Sequence, residues 1–186
     1  MVDVEGLLRD PRSRRSFFRA SGVAVGGASV AFLVACGGAK KGTPSAEVGI
    51  LNSAIDLEHM AIAAYTAGAP LLQGQTLTLA RQFLGHEKEH ANTLSQAVLD
   101  AGERPNKPKP QYDFQRFTGP QAVLELLAMI ENVAIAAYVD ALPKLSSGDL
   151  RATAASIVTD EAEHLAVIAG VRGQPQVPSA FVVGKR

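Results

Sequence analysis

A chain of 186 residues with 18 basic and 18 acidic side chains has room for one ordinary domain and no net charge to draw it to a polyanion. Tryptophan is absent, only three tyrosines occur, and alanine, leucine and valine dominate, which disfavours aromatic-rich strands and makes all-α the expected class. One cysteine excludes an intrachain disulfide or a cysteine-rich metal knuckle, and no basic stripe interleaved with aromatics supports nucleic-acid binding.

The chain opens with a leader. Ser13-Arg14-Arg15-Ser16-Phe17-Phe18-Arg19 precedes an uncharged run from Ala20 to Ala35 that is too short and too rich in glycine for a comfortable spanning helix. The Arg14-Arg15 pair followed by phenylalanine resembles a twin-arginine export signal. Leu33-Val34-Ala35-Cys36 resembles a lipobox, whose cysteine is lipidated and becomes the new N-terminus. Cleavage by ordinary signal peptidase, or retention as an anchor, is the competing reading. Either way the domain faces the outside of the cytoplasmic membrane, in the cell envelope or periplasm. Residues 1–36 are thus the expected signal, and the Gly/Lys/Ser/Thr/Pro stretch 37–44 a flexible tether.

Four helices are expected in residues 45–172. The first begins near Ser45, where Ser45-Ala-Glu47 offers a cap and an early acid, and Gly68-Ala-Pro70 stops it. The second covers about Gln75 to Ala101, with Gly102 just past its end. The third starts at Pro120, a good first-turn residue, and runs to Leu142, where Pro143 and Ser146-Ser-Gly148 end it. The fourth runs from about Asp149, a plausible cap, to Val171. Two connections are short, but Glu103 to Gly119 is 17 residues with three prolines. A helix of ~27 residues is about 40 Å long, and a 17-residue connection reaches roughly 56 Å when extended. The long connection can therefore cross the whole bundle. The tail, 173–186, is too short and broken for a fifth helix.

One pattern occurs twice. Glu58 is followed by Glu87 and His90, and Glu131 by Glu161 and His164. The flanks repeat as well: Asp56-Leu-Glu58-His-Met-Ala-Ile-Ala-Ala-Tyr65 reads almost like Met129-Ile-Glu131-Asn-Val-Ala-Ile-Ala-Ala-Tyr138. Residues three apart share a helix face, so Glu87 pairs with His90 and Glu161 with His164, while Glu89 and Glu163 point to solvent. Glu58 and Glu131 sit in apolar surroundings, where a lone carboxylate is costly. Two divalent ions would balance four carboxylates, and mixed oxygen and imidazole ligation suits iron first, with manganese possible and zinc a competitor. Tyr65 and Tyr138, seven residues beyond their glutamates, return to nearly the same face, either as core residues or as partners of the carboxylates. Asp160 is placed to orient a ligand histidine, and its repeat counterpart is His86. His59 and His86 are expected on the surface or its boundary. Met60 and Met129 are expected to fill the core.

These six residues resemble the dimetal ligand set of ferritin-like four-helix bundles, as in bacterioferritin and rubrerythrin. Leu51 to Tyr65 resembles the first helix of the ferritin-like family that includes desiccation-related bacterial proteins. The resemblance covers about Glu47 to Val171. It implies a ferritin-like four-helix bundle with one long crossover between the second and third helices, and two metal ions held by Glu58, Glu87, His90, Glu131, Glu161 and His164. By the precedent, Glu87 and Glu161 bridge; an arrangement with Glu58 and Glu161 mainly terminal remains open. It also implies chemistry on ferrous iron, oxygen or peroxide in a stress-protective role. The twin-arginine route carries proteins already folded, which suits a buried metal site. The chain departs from the family in having no Cys-x-x-Cys electron-transfer module, no clear methionine match for haem, and no fifth helix, so a monomer or small homo-oligomer is expected rather than a cage. The reading from another class is a non-catalytic metal-binding or stress-associated structural lipoprotein.

Overall fold

The computed structural model describes residues 45–114 and 117–185. Arg14, Arg15, Cys36 and the tether lie outside them. Four helices, α1 (Ser45–Gly68), α2 (Gly74–Asp100), α3 (Pro120–Ala141) and α4 (Gly148–Val171), form two hairpins with short 3-10 turns at Ala69–Leu71 and Leu142–Lys144. No strand occurs among the described residues.

The second helix of each hairpin ends in the same way. Gly102 has φ +82° and Gly173 φ +69°. Around the first, Gly102 N–H donates to the Leu99 carbonyl and Glu103 N–H to that of Val98; around the second, Gly173 donates to Gly170 and Gln174 to Ala169. Each is a Schellman motif, in which a left-handed glycine turns the chain and satisfies orphan carbonyls. The start of α4 differs from expectation. Its cap is Ser147, whose hydroxyl accepts from Leu150 N–H at 3.3 Å, with Asp149 inside the first turn. Glu47 does more than sit early in a helix. It is buried at 3 % exposure and accepts from Ser146 N–H, Ser146 Oγ (2.9 Å) and Ser147 N–H (3.2 Å), tying the α3–α4 turn to the start of α1. Burial alone would raise its pKa, but those donors and Arg151 hold it below the usual value.

The long connection begins beside the start of α1, where Asn106 N–H donates to Asn52 Oδ1 (2.7 Å) and Asn106 Nδ2 to Asp56 Oδ2 (2.9 Å). It ends at the opposite end, with Phe114 and Phe117 against the apolar cluster around Tyr65 and Phe83. There α3 begins beside the end of α1: a Cβ on Gly68 would lie 2.5 Å from Val123 Cγ1. The connection therefore travels the bundle's length, and α1 and α3 are antiparallel.

Two apolar layers fill the interior. One gathers Ala61, Tyr65, Phe83, Leu127 and Ile168; the other gathers Leu51, Ile55, Leu94, Val98, Tyr138 and Ile157. In every helix the glutamate singled out from the repeat falls between a residue of one layer and a residue of the other, so the fold makes a polar slab inside an apolar core. The segment Pro120–Lys144 is long and apolar enough to cross a membrane by composition, yet 56% of its 18-residue apolar stretch is buried inside the bundle. Its apolarity serves the core. Met60 packs against the Tyr65 layer, but Met129 is 56% exposed and fills no core position. The tail makes no helix: Lys185 N–H donates to the Asn132 carbonyl (3.1 Å), while Val177 and Phe181 stay exposed.

Candidate metal centre

Glu58 and Glu131 come from α1 and α3, the two Glu-x-x-His pairs from α2 and α4, and the bundle brings all six residues together. Glu58, Glu87, Glu131, Glu161 and His164 are each at most 1 % exposed, and the His90 side chain is 13% exposed. They fall into two sets that could each hold a metal ion: Glu58, Glu87, His90 and Glu161, and Glu87, Glu131, Glu161 and His164. Within each set the ligand atoms lie within 4.8 Å of one another. Glu87 and Glu161 belong to both sets. Ions held by these two sets would share Glu87 and Glu161, with Glu58 on one side and Glu131 on the other.

Both histidines turn Nδ1 inward. His90 Nδ1 lies 3.1 Å from Glu161 Oε1 and 3.5 Å from Glu58 Oε2; His164 Nδ1 lies 3.1 Å from Glu87 Oε1 and 3.3 Å from Glu161 Oε2. These contacts are at ion-pair distance, yet their geometry makes no hydrogen bond. Glu87 Oε1, Glu131 Oε2, both Glu161 oxygens, His90 Nδ1 and His164 Nδ1 are buried and make no hydrogen bond. Native interiors rarely leave polar atoms so, and six that converge on one place fit a ligand set whose lone pairs are directed at cations. Four oxygen donors and two imidazoles suit divalent transition ions better than calcium or magnesium.

The tyrosines couple the two repeats. Tyr65 O–H donates to Glu131 Oε1 and Tyr138 O–H to Glu58 Oε1, each reaching the glutamate of the other repeat. Both rings are buried, at 1 % and 2 % exposure, so each tyrosine is a core residue and a carboxylate partner at once. Behind Tyr138 a cavity of about 330 Å³ opens between α1 and α3, with Ile50, Ser53, Ala54 and Ala141 among its walls. Shifting by the repeat offset (131 − 58 = 73) puts Val123, Leu126 and Leu127 at the places of Ile50, Ser53 and Ala54. Leu126 and Leu127, larger than Ser53 and Ala54, pack with Val123 into the Tyr65 layer.

Asp160 stands on the outer side of both imidazoles, with Oδ2 3.2 Å from His90 Nε2 and 3.3 Å from His164 Nε2. One carboxylate therefore meets both rings on the side away from the glutamates, an arrangement that fixes ring orientation and directs the inner nitrogen. His86 lies at the boundary, as expected, but it also meets the cluster. Its Nδ1 is 3.0 Å from Asp160 Oδ2 and 3.0 Å from His164 Nε2, because residues directly before Glu87 and Glu161 face each other across the seam between α2 and α4. The sequence signal for this was its repeat correspondence with Asp160. His59 is half-buried with Nδ1 unpaired, and burial lowers its pKa. Glu89 and Glu163 are exposed, as expected.

Burial dominates the titration of the two end carboxylates. It pushes Glu58 up to about 8, aided by Glu161 and Glu87, and raises Glu131 well above the usual range. Burial acts in the same sense on Glu161 and Glu87, but the adjacent histidines outweigh it and hold Glu161 down at about 2 and Glu87 below its ordinary value. For the histidines burial favours the neutral ring, yet the carboxylates around them win and raise both His90 and His164 to about 12. Without metal the cluster thus balances two carboxylates against two imidazoliums, with Glu58 and Glu131 protonated.

Residues 46–174 match the sequence profile of the ferritin-like domain family. The fold is similar to that of a conserved hypothetical protein, rv2844, from Mycobacterium tuberculosis, with a TM-score of 0.66 and 18% identity over 69% of this chain and 98% of that one. It is also similar to the bacterioferritin-related protein of Bacteroides fragilis, a dodecameric thioferritin, with a TM-score of 0.62 and 19% identity over 69% of this chain and 84% of that one. At such identities the likeness is one of fold. No curated protein matches the sequence significantly. The four helices, the long crossover and the profile match over most of the chain place it in the ferritin-like domain family.

Proposed function

We propose that this chain is an exported dimetal redox protein that oxidises ferrous iron with oxygen or peroxide in the cell envelope. The observation that carries the reading is the set of buried, converging ligand atoms without hydrogen-bond partners on Glu87, Glu131, Glu161, His90 and His164. Glu58 and His90 would hold one ion, Glu131 and His164 the other, and Glu87 and Glu161 would bridge. Iron fits the donor set first and manganese second. Bound there, the ions supply the one-electron chemistry that no side chain here provides.

The chain's own residues supply the rest. Tyr65 and Tyr138 hold the terminal carboxylates, Asp160 fixes the two imidazoles, and the apolar layers on either side exclude water. The relative from Bacteroides fragilis is a bacterioferritin-related thioferritin, which favours an iron role by kinship. That protein is dodecameric; for this chain, with no fifth helix among the described residues and a proposed anchor, we favour a monomer or small oligomer.

Purified protein mixed with Fe(II) and hydrogen peroxide tests the activity. Accelerated oxidation should fall to the uncatalysed rate in Glu131→Ala, whereas tight binding with no acceleration in the wild type would make the protein a non-catalytic metal binder. Export through Arg14 and Arg15 and anchoring through Cys36 belong to the same proposal. A lipid mass increment on Cys36 in membrane fractions, absent from Cys36→Ala, is the expected result, and an unmodified or cleaved chain in the soluble fraction would contradict it.

A further inference from the structure

The repeat is broken at one functional position. The residue before Glu161 is Asp160, and the residue before Glu87 is His86. Across the α2–α4 seam these two meet His164 on the side of its ring that faces away from the buried glutamates. His86 Nδ1, Asp160 Oδ2 and His164 Nε2 form a triangle with sides of 3.0, 3.3 and 3.0 Å. Hydrogen bonding accounts for at most two of its three sides at once, since His86 Nδ1 has one in-plane direction and Asp160 Oδ2 carries no proton when ionised. A cation accounts for all three. Bonds of about 2.1 to 2.2 Å to nitrogen and oxygen put adjacent ligands of a six-coordinate ion roughly 3.0 to 3.1 Å apart.

Two further features bear on what such a site would do. The His86 and Asp160 side chains are 37% and 27% exposed, whereas His164 is 1% exposed, so the triangle joins solvent to the buried cluster. The His164 ring is stacked on Phe83 at 4.1 Å between centroids, with Nδ1 toward Glu87, Glu131 and Glu161 and Nε2 toward His86 and Asp160. A neutral imidazole has one lone pair, so this ring serves an outer ion or an inner ion, one at a time.

We propose that His86, Asp160 and His164 form an outer site for a divalent transition-metal ion, through which ions are loaded into the buried pair. The proposal rests on the dimetal reading above. Two imidazole nitrogens and one carboxylate oxygen select Fe(II), Mn(II), Co(II) or Zn(II) over calcium and magnesium. Occupancy of the outer site is transient, because the ion leaves it as His164 turns its lone pair to the inner cluster.

Co(II) added to the metal-free full chain in a stopped-flow absorbance experiment provides the test, with equilibrium stoichiometry and release rate measured alongside. His86→Ala and His86→Gln should still bind two Co(II) at equilibrium but take them up at least ~10-fold more slowly, the scale on which partners of metal ligands act. Equal uptake rates in the wild type and both variants overturn the inference and leave the dimetal reading intact. Unchanged uptake with faster release would make His86 a positioning residue only, which also overturns it. No uptake by any of the three proteins overturns both readings.

Discussion

Two equivalents of Fe(II) added without oxygen to the metal-free protein are expected to raise Tm by roughly 10–20 °C, and to leave the Glu87→Ala/Glu161→Ala variant unchanged. Ions that bind only the folded chain stabilise it by about 4 kcal/mol per site when present at a thousandfold excess over Kd. In a domain of this size each kcal/mol moves Tm by a few degrees. The two substituted residues are those common to both ligand sets, so their loss removes two of the four donors from each set and with them the link between the two sites. Calorimetric scans with and without metal check this. A large metal-induced shift in the double variant would mean that the ions bind elsewhere.

The second large effect is a reversal of pH dependence on metal loading. Glu58, raised from 4.5 to about 8, contributes stability that is full below pH 4.5 and is lost as pH rises toward 8; Glu131, also raised, acts in the same direction. His90 and His164, raised from 6.5 to about 12, contribute stability that is full below pH 6.5 and is lost as pH climbs toward 12. Glu161, lowered to about 2, contributes above pH 4.5 and loses its share only as pH falls toward 2. All the losses above pH 5 therefore have one sign. The metal-free protein should be most stable near pH 5 and weaken by about 3 kcal/mol or more by pH 8. In Glu58→Gln/Glu131→Gln, which keeps acceptors for both tyrosines, most of the decline between pH 5 and pH 7 should vanish. Metal loading must displace the protons on both histidines and both end carboxylates, so the metal-induced gain in Tm should widen as pH rises. Urea titrations at pH 5, 6, 7 and 8, with and without metal, read both trends; a metal-free protein that strengthens toward pH 8 would contradict the assigned protonation states.

The repeat made the six cluster residues legible because helical spacing carries the information: a glutamate in an apolar stretch, and a Glu-x-x-His with one face inward, are properties of single helices. Contacts between helices were not written there. Tyr65 lies on the face of its own Glu58 in sequence, but antiparallel α1 and α3 set 65 opposite 131 and 138 opposite 58, so each phenol bonds the other repeat's carboxylate. His86 is a boundary residue, as its position implies, but its partners are not legible in the sequence for the same reason. One position before an inward glutamate it lies at the edge of its helix, and only the approach of α4 carries Asp160 and His164 to it. Met129 shows the converse error. Its apolar side chain suggested the core, yet it falls on the outer face of a helix apolar nearly all round. The helix limits agreed to within a residue or so, and the cap moved from Asp149 to Ser147 because Ser and Asp two positions apart compete for the same amides.

Elemental mass spectrometry of the mature domain, purified from its own host without chelator or added metal beside the Glu87→Ala/Glu161→Ala variant, tests the central claim most directly. The account predicts about two iron or manganese atoms per chain in the first protein and none in the second, from the six-residue ligand set. No stoichiometric metal in either protein would contradict it and leave a ferritin-like bundle whose buried carboxylates serve some purpose other than holding ions.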